Sequence, residues 1–386
     1  MTVALSLDRK PTETFPHART IFSKSENPNY SEAEQLFLQL LQTEDLDTHI
    51  QAQPQRVEPL ETAIAVALDQ AYGNKTSTSQ NVEQEAAHLF LQRLLYRINR
   101  LNLFWYDNLK HYQNERSYYL QQVRDRIEIP WQAWELPHLG ENYLDNVQVL
   151  TVNAIKRALQ QRAEADLNPT LTPNKRYLRE QMTVDGYKQL LAIASLDGLV
   201  EASRMSRILG GACNEIQATL IRVLLEEYGN GRLSRKHSTF FAQMMAELGL
   251  NTTPEYYFEF APWQLLASIN HNFLLTERKR YFLRYNGGLT YFEIVGPSIY
   301  TDYRLAAERL GLSEKARGYW DLHIREDERH GQWMLTGVAF PLADLYPDDA
   351  WELVLGYDQE KFMGDRAGAA IIQAVKAAEQ GNNPVS

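Results

Sequence analysis

The stretch YWDLHIREDERHG, residues 319–331, contains the pattern on which the interpretation of this sequence depends. In a helix with about 100° per residue, His323, Asp327 and His330 would stand at about 0°, 40° and −20° around the axis. The three side chains would then share one stripe of roughly 60° on a single face. Two imidazoles and a carboxylate on one face can bind a first-row transition metal. Taken alone the spacing is a weak signal, because such a helix face is more often solvated.

Charged residues in apolar surroundings extend this pattern to other segments. Glu293 and Glu201 each lie in a largely apolar run, and Glu227 lies beside a Gly-Asn-Gly turn that precedes His237. A buried carboxylate needs a cationic partner, and the alternative for each is an exposed polar edge. Together with residues 319–331, these positions supply three histidines and four carboxylates. Such nitrogen and oxygen donors without thiolate favour iron or manganese, and a helical bundle can project them inward.

A ferritin-like diiron site would instead need two Glu-x-x-His motifs on paired helices. Glu85 and His88 form one such motif, and Glu135 and His138 form another. The second motif contains Pro137, which would break its helix. The ferritin-like pattern therefore fails, and His88 is predicted to be an ordinary surface or core histidine.

The composition excludes several other classes of protein. The 386 residues are 44% hydrophobic and 23% charged, which is typical of a globular chain. The net charge of −10 argues against nucleic-acid binding, since the densest basic run is only Arg278-Lys279-Arg280. The single cysteine, Cys213, excludes an internal disulfide and a thiolate-bound metal, and is predicted to be a small core residue. No apolar run is long enough to cross a membrane, and no secretory signal is expected.

Hydrophobic periodicity predicts an all-α fold. Apolar residues recur at helical spacing through most of the chain, and alternating strand patterns are scarce. The predicted helical segments are 32–44, 57–72, 80–110, 113–127, 141–165, 184–209, 212–228, 233–248, 263–284, 289–310, 314–336 and 365–380.

Turn residues and a polar linker divide these segments. Gly229-Asn230-Gly231 is predicted to end one helix, and Asn286-Gly287-Gly288 is predicted to separate two long helices. The polar, proline-containing stretch 166–175 is typical of a linker. We therefore predict an N-terminal helical region, 1–165, and a C-terminal helical domain, 176–382.

The C-terminal residues resemble the haem-oxygenase-like diiron oxidases and oxygenases. The hallmark of that family is a late helix with His-x3-Asp-x2-His, a glutamate on an earlier core helix and a histidine before that. The sequence is similar to the N-oxygenating subgroup in particular, which has one additional carboxylate. The resemblance implies a haem-oxygenase-like helical bundle with an additional N-terminal helical region. The metal ligands that it implies are Glu201, Glu227, His237, Glu293, His323, Asp327 and His330.

The resemblance also implies a reaction. Two iron ions (Fe2+/Fe3+) would react with O2 through a peroxo-diiron(III) intermediate, with no catalytic residue beyond the metal ligands. The expected outcome is N-oxygenation of an amine or guanidine nitrogen. The alternatives are an oxidase that decarboxylates, desaturates or cleaves an amino or fatty acid, and a non-catalytic helical binding protein. We expect His237, Glu293 and His330 to bind one iron, and Glu201, His323 and Asp327 to lie beside the other.

The expected partners follow from the same interpretation. The expected substrate is a small, amino-acid-derived molecule. Glu226 or Glu326 would either pair with a cationic substrate or lie on a solvated face. An external electron donor is expected, whereas nucleic acid and membranes are not. The aromatic residues between 104 and 119 predict core packing or an oligomer contact, and a homodimer is expected. The single cysteine fits a reducing cytoplasm, which is the expected location.

Overall fold

The computed structural model describes residues 28–73, 82–103, 108–211, 214–382 and 384–385. Helices contain most of these residues, and no strand occurs within the described ranges, so the all-α prediction is confirmed. In the same part of the chain, no helix combines the length and apolar character needed to cross a bilayer.

Some sequence-based predictions concern residues outside these ranges. Cys213 and the aromatic residues at 104–106 lie outside the described residues. Of the remaining aromatic residues in that stretch, Tyr119 is buried in the N-terminal core and Tyr118 is exposed. The predicted oligomer contact stays a prediction.

The first half of the described chain forms short and medium helices. Its core is built mainly by side chains of the first, third, fourth and fifth of these helices, which pack against each other. The helices are α1 (Tyr30–Leu41), α2 (Leu46–Ala52), α3 (Glu58–Tyr72), α4 (Val82–Arg100), α5 (Tyr118–Glu135), α6 (Tyr143–Gln148) and α7 (Val152–Leu167).

The second half contains the longest helices. Its centre is a long helix, α13, which packs along both α14 and α16. The helices are α8 (Pro173–Glu180), α9 (Val184–Gly198), α10 (Glu215–Glu227), α11 (His237–Glu247), α12 (Trp263–Glu277), α13 (Phe282–Arg309), α14 (Glu314–Gln332), α15 (Phe340–Leu345) and α16 (Trp351–Glu379). A π-helix, Trp333–Ala339, joins α14 to α15.

Polar side chains define where two of these helices begin. The Asn214 side chain accepts a hydrogen bond from the backbone N–H of Gln217, at 2.8 Å, and so caps α10. Ser313 caps α14 in the same way, by accepting from the N–H of Ala316 at 3.2 Å. Each cap stabilises its helix by about 1 kcal/mol. Both helices contain predicted metal ligands.

The predicted break at Asn286-Gly287-Gly288 is wrong, because α13 continues through it. The glycines serve close helix packing instead of a turn. A Cβ at Gly287 would lie 2.8 Å from the carbonyl carbon of Leu353, and one at Gly356 would lie 2.7 Å from that of Arg284. Glycine is therefore required at these positions by the approach of α13 to α16.

Two other predicted helix boundaries are also wrong. The predicted helix 184–209 ends at Gly198, and the predicted helix 365–380 begins much earlier, at Trp351. Residues 352–357 are all buried, so they have no polar face and no one-sided periodicity. Periodicity cannot identify a helix that is surrounded by other helices.

The hydrophobic cores extend across the linker that the sequence indicates. Leu91 and Val123 share a core with Met363 of α16. Ile155, from α7, shares another core with Leu353. The division into 1–165 and 176–382 stays a prediction, and the described helices on both sides of it pack together.

Candidate metal centre

Three predicted ligands lie on one face of α14, as the spacing of the sequence predicts. His323 and Asp327 are each 2% exposed, and His330 is fully buried. All three project from α14 into the space between this helix and its neighbours α11 and α13. The alternative of a solvated helix face is therefore wrong for these side chains.

A tight loop brings Glu227 and His237 together. Glu227 is the last residue of α10 and His237 is the first of α11. Between them Gly229, Asn230 and Gly231 all have positive φ angles, of 60°, 53° and 77°. A Cβ at Gly229 would lie 2.6 Å from the backbone nitrogen of Lys236, so only glycine allows this reversal.

Glu201 lies outside the helix in which the sequence placed it. α9 ends at Gly198, and Ala202 adopts a left-handed conformation with φ of 59°. The apolar pattern continues beyond the helix because Val200 still packs into a core. Glu201 is held instead by side chains of α14, since the Tyr319 hydroxyl donates to its Oε1 at 2.8 Å.

One group of potential ligands contains two carboxylates and two imidazoles. Ligand atoms of Glu201, Glu227, His237 and His323 all lie within 4.8 Å of one another. The Nδ1 atom of His237 lies 2.9 Å from Glu227 Oε2, and the Nε2 atom of His323 lies 2.8 Å from Glu201 Oε1. The two imidazoles approach each other to 3.1 Å. Four donors at this spacing can surround one metal ion.

A second group shares Glu227 with the first. Ligand atoms of Glu227, Asp327 and His330 lie within 4.8 Å of one another, and all three residues are buried. His330 Nδ1 also lies 3.2 Å from an oxygen of Glu293. The pairing expected from the sequence is thus wrong for His237, which lies with Glu201, and for Asp327, which lies with His330.

The electrostatics of these groups fit bound cations. Both carboxylate oxygens of Asp327 are buried and have no hydrogen-bond partner among the described residues. Burial, and then the negative charge of Glu293, hold the pKa of Asp327 well above its usual range. Burial likewise raises the pKa of Glu293. Within the described ranges, no lysine or arginine forms an ion pair with Glu201, Glu227, Glu293 or Asp327. Metal ions would supply the missing positive charge.

The histidines respond to the same excess of negative charge. Burial opposes their charged form, yet the Glu227 carboxylate raises the pKa of His237 to about 10. Burial also opposes charging of His330, but its hydrogen bond with Glu293 raises the pKa to about 9. Protons on these rings therefore partly neutralise the carboxylates, and a metal ion would have to replace them.

The outward-facing nitrogens of two histidines have acceptors. His323 Nδ1 lies 2.9 Å from the backbone oxygen of Tyr319, one turn earlier in α14. His330 Nε2 lies 2.9 Å from Glu226 Oε2. Such bonds orient metal-binding imidazoles and set which nitrogen is free. The sequence motif alone does not assign Tyr319 or Glu226 to this role, although Tyr319 lies at the i−4 position to His323 on the predicted helix.

Small and aromatic side chains shape the surroundings. A Cβ at Gly296 would lie 3.3 Å from Asp327 Cγ and still closer to its Oδ2, so a glycine in α13 leaves room for that carboxylate. The ring of Tyr300 lies 4.7 Å from that of His323, between centroids, and stacks on Trp320 at 5.6 Å. These buried rings exclude water from one side of the centre.

The Glu85–His88 motif has no metal-binding arrangement. His88 is buried and stacks on Trp263 with ring centroids 4.2 Å apart, and Trp263 Nε1 donates to Glu85 at 2.6 Å. His138 lies in a 3₁₀ turn that contains Pro137. Burial lowers the pKa of His88 to about 3, so it is a neutral core residue. The prediction that the ferritin-like pattern fails agrees with this geometry.

Comparison with known proteins identifies the kind of protein to which this centre corresponds. Residues 188–359 match a family of iron-containing redox enzymes. The match confirms the family resemblance, the all-α haem-oxygenase-like fold and the class of iron-containing oxidoreductase for this segment. All seven predicted ligands lie within it.

One curated relative aligns with part of this chain. It is the nitrosourea synthase of Streptomyces achromogenes subsp. streptozoticus, which is 29% identical over 173 residues. The alignment covers 43% of this chain and 36% of the relative, so the chain spans about a third of that protein's length.

Proposed function

We propose that this chain is a non-haem diiron oxygenase that N-oxygenates an amine or guanidine nitrogen of a small, amino-acid-derived molecule. The observation that carries the proposal is the position of Glu227. Its Oε2 lies 2.9 Å from His237 Nδ1, in the first group, and its Oε1 lies 3.5 Å from His330 Nδ1, in the second. A carboxylate with one oxygen toward each group can bridge two metal ions.

The side chains around the centre have separate tasks. A bound iron pair would supply the activation of O2, and the residues that would hold it are Glu201, His237 and His323 of one group, Glu293, Asp327 and His330 of the other, and Glu227, which both groups share. Tyr319 orients the Glu201 carboxylate through its hydroxyl. The rings of Tyr300 and Trp320 limit access of water beside His323.

The overall reaction has a definite balance. One oxygen atom of O2 forms the new N–O bond, and the other leaves as water after taking up two protons. Reduction of O2 takes four electrons, of which the oxidised nitrogen supplies two. An external donor has to supply the other two. The oxygen intermediate expected from the family resemblance stays a prediction.

A carboxyl group near the centre supports a cationic substrate. Within the described residues, the only hydrogen-bond partner of Glu360 is the amide of Asn272, at 3.3 and 3.4 Å from its two oxygens. Burial raises the pKa of Glu360 to about 7. A Cβ at Gly288 would lie 3.3 Å from the Cβ of Glu360, so Glu360 packs against α13, the helix that also carries Glu293. The charge of Arg204 acts on Glu360, but within the described residues no lysine or arginine forms a direct ion pair with it. An ammonium or guanidinium group of a substrate would supply that direct partner.

The curated relative supports nitrogen as the oxidised atom. Its name refers to a nitrosourea, a group in which nitrogen is bonded to oxygen. The relative extends well beyond the aligned region, so its name serves only as a guide to the chemistry of this chain.

Anaerobic titration with Fe(II) tests the metal centre. We expect about two iron ions per chain, followed by an absorption change when O2 is added. The matched control is Asp321→Asn, which changes a half-exposed carboxylate on the same helix that does not face the centre. No iron uptake by the wild type would contradict the proposal and favour a non-catalytic binding protein.

Product analysis tests the reaction. The Fe(II)-loaded chain is incubated with O2, a reductant and a panel of amino acids that have amine or guanidine groups. The products are then analysed by mass spectrometry. Incorporation of oxygen from labelled O2 at nitrogen would support N-oxygenation. Loss of CO2, desaturation or cleavage would instead favour the oxidase alternative.

A homodimer and an external electron donor belong to the same proposal. Sedimentation velocity tests the first, with a dimer mass expected. Turnover with and without a chemical reductant tests the second, since a second turnover requires fresh electrons.

A further inference from the structure

His330 is held between two consecutive residues of α10. On the inner side its Nδ1 lies 3.5 Å from Glu227 and 3.2 Å from Glu293. On the outer side its Nε2 lies 2.9 Å from Glu226 Oε2. The end of α10 therefore places Glu227 at the centre and Glu226 at the opposite edge of the His330 ring.

Glu226 is itself fixed from outside. Arg329 donates to Glu226 Oε2 at 2.7 Å, and the guanidinium of Arg329 lies 5.6 Å from the centroid of the Trp333 ring. The Glu226 side chain is 18% exposed and that of Arg329 is 46% exposed, so this contact lies at the edge of the buried centre. The Oε2 atom of Glu226 therefore accepts from both Arg329 and His330.

The direction of the His330 ring has consequences for metal binding. A neutral imidazole has one N–H and one free lone pair, and the acceptor of the N–H decides which nitrogen is free. When a metal ion is bound and Nε2–H is donated to Glu226, the lone pair of Nδ1 would face the space beside Glu227, Glu293 and Asp327, where Nδ1 hydrogen-bonds to Glu293 in the metal-free protein. Without that acceptor, a ring flip or a change of tautomer would direct an N–H toward the centre.

We propose that Glu226 is a positioning residue that holds His330 with Nδ1 directed at one of the two metal sites. The inference rests on the proposed function, because it assumes that the centre binds metal. It replaces the sequence-based expectation that Glu226 pairs with a cationic substrate. Glu226 touches neither the reacting atoms nor the metal, and it acts through the imidazole.

Two substitutions separate the hydrogen bond from the charge. Glu226→Gln retains an oxygen that accepts from Nε2–H, whereas Glu226→Ala removes the acceptor. Loss of such an outer partner lowers metal affinity about 10- to 100-fold. In anaerobic Fe(II) titrations we expect Glu226→Ala to weaken one of the two iron ions by this factor and Glu226→Gln to restore binding to within a few-fold. Arg329→Gln, which removes only the outer contact, serves as the peripheral control.

A second readout follows the ring directly. In protein with 15N-labelled histidine and diamagnetic Zn(II) in place of iron, we expect His330 to be protonated at Nε2 in the wild type and in Glu226→Gln. In Glu226→Ala we expect this N–H signal to be lost or to exchange rapidly. Circular dichroism of each variant checks that the helices remain.

The outcomes are distinct. If Glu226→Ala binds both iron ions as the wild type does, the positioning role is wrong while the proposed function stands. If Glu226→Gln is as impaired as Glu226→Ala, Glu226 acts through its charge or as a direct metal ligand, and the inference is again wrong. A wild type that binds no metal would overturn the proposed function itself.

Discussion

Substitution of Gly296 by alanine tests the geometry of the centre with a change of one methyl group. The new Cβ would lie 3.3 Å from Asp327 Cγ and well inside van der Waals contact with its Oδ2. Carbon contacts are optimal at about 3.5–4.0 Å, so the carboxylate would have to move by roughly 1 Å. Metal–ligand distances tolerate about 0.2 Å. The displaced Asp327 would therefore cease to be an effective ligand.

The expected effect on stability is small, because two terms oppose each other. Alanine is more favourable than glycine by about 1 kcal/mol inside a helix. Overpacking against Asp327 and Tyr300 costs about 1–3 kcal/mol, since the Cβ would also lie 3.3 Å from Tyr300 Cε2. We expect the metal-free variant to unfold in urea within about 2 kcal/mol of the wild type. Its affinity for one Fe(II) should fall about 10- to 100-fold, which corresponds to roughly 1.4–2.7 kcal/mol.

Gly364→Ala is the matched control. Gly364 lies within α16, and a Cβ there would have no neighbour within 4 Å. This variant should gain about 1 kcal/mol of stability and bind iron as the wild type does. Iron affinity is measured by anaerobic competition with a chelator. Wild-type affinity for both iron ions in Gly296→Ala would refute the placement of Asp327 at the centre.

Four further predictions follow from the structure. His323→Ala or His330→Ala should abolish iron binding and turnover and leave the helical circular dichroism largely unchanged; full iron occupancy in either variant would show that the site is assigned wrongly. His88→Ala should leave iron binding unchanged, because His88 packs against Trp263, and a large loss of iron would favour the ferritin-like pattern instead. Glu360→Gln should weaken binding of a cationic substrate about 10- to 100-fold, the loss of roughly 1.5–3 kcal/mol for a charged hydrogen bond, and leave binding of a neutral analogue unchanged. Burial raises the pKa of Glu360 from 4.5 to about 7, so between these pH values the unfolded chain releases a proton that the folded chain retains. The free energy of unfolding of the wild type should therefore fall by up to roughly 3 kcal/mol, relative to Glu360→Gln, as the pH rises from about 4.5 to about 7. Equal pH profiles of unfolding for the two proteins would show that Glu360 is not buried in this way.

Local patterns in the sequence were sufficient for part of the site. His323, Asp327 and His330 lie on one helix, where a spacing of three or four residues places side chains on the same face whatever the rest of the chain does. The Gly229-Asn230-Gly231 turn was also predictable, because positive φ angles favour glycine and asparagine. The remaining ligands required a family resemblance, since spacing alone cannot bring separate segments together.

Other features depend on contacts between distant segments. Asn286-Gly287-Gly288 has the composition of a turn, but the close approach of α16 makes it part of a continuous helix. Glu201 lies in an apolar pattern, yet it leaves the helix and is held by Tyr319 and His323 of α14.

The sequence by itself determined that this chain is helical, that it can hold a nitrogen- and oxygen-ligated metal without thiolate, and that three ligands share one face. Only the tertiary structure decided that Glu227 belongs to both groups of ligands, that His237 lies with His323, and that Glu226 lies behind His330. The physical reason is the range of the interactions. Helical periodicity and turn chemistry act over a few neighbouring residues, whereas the direction of each imidazole is set by carboxylates that arrive from other helices.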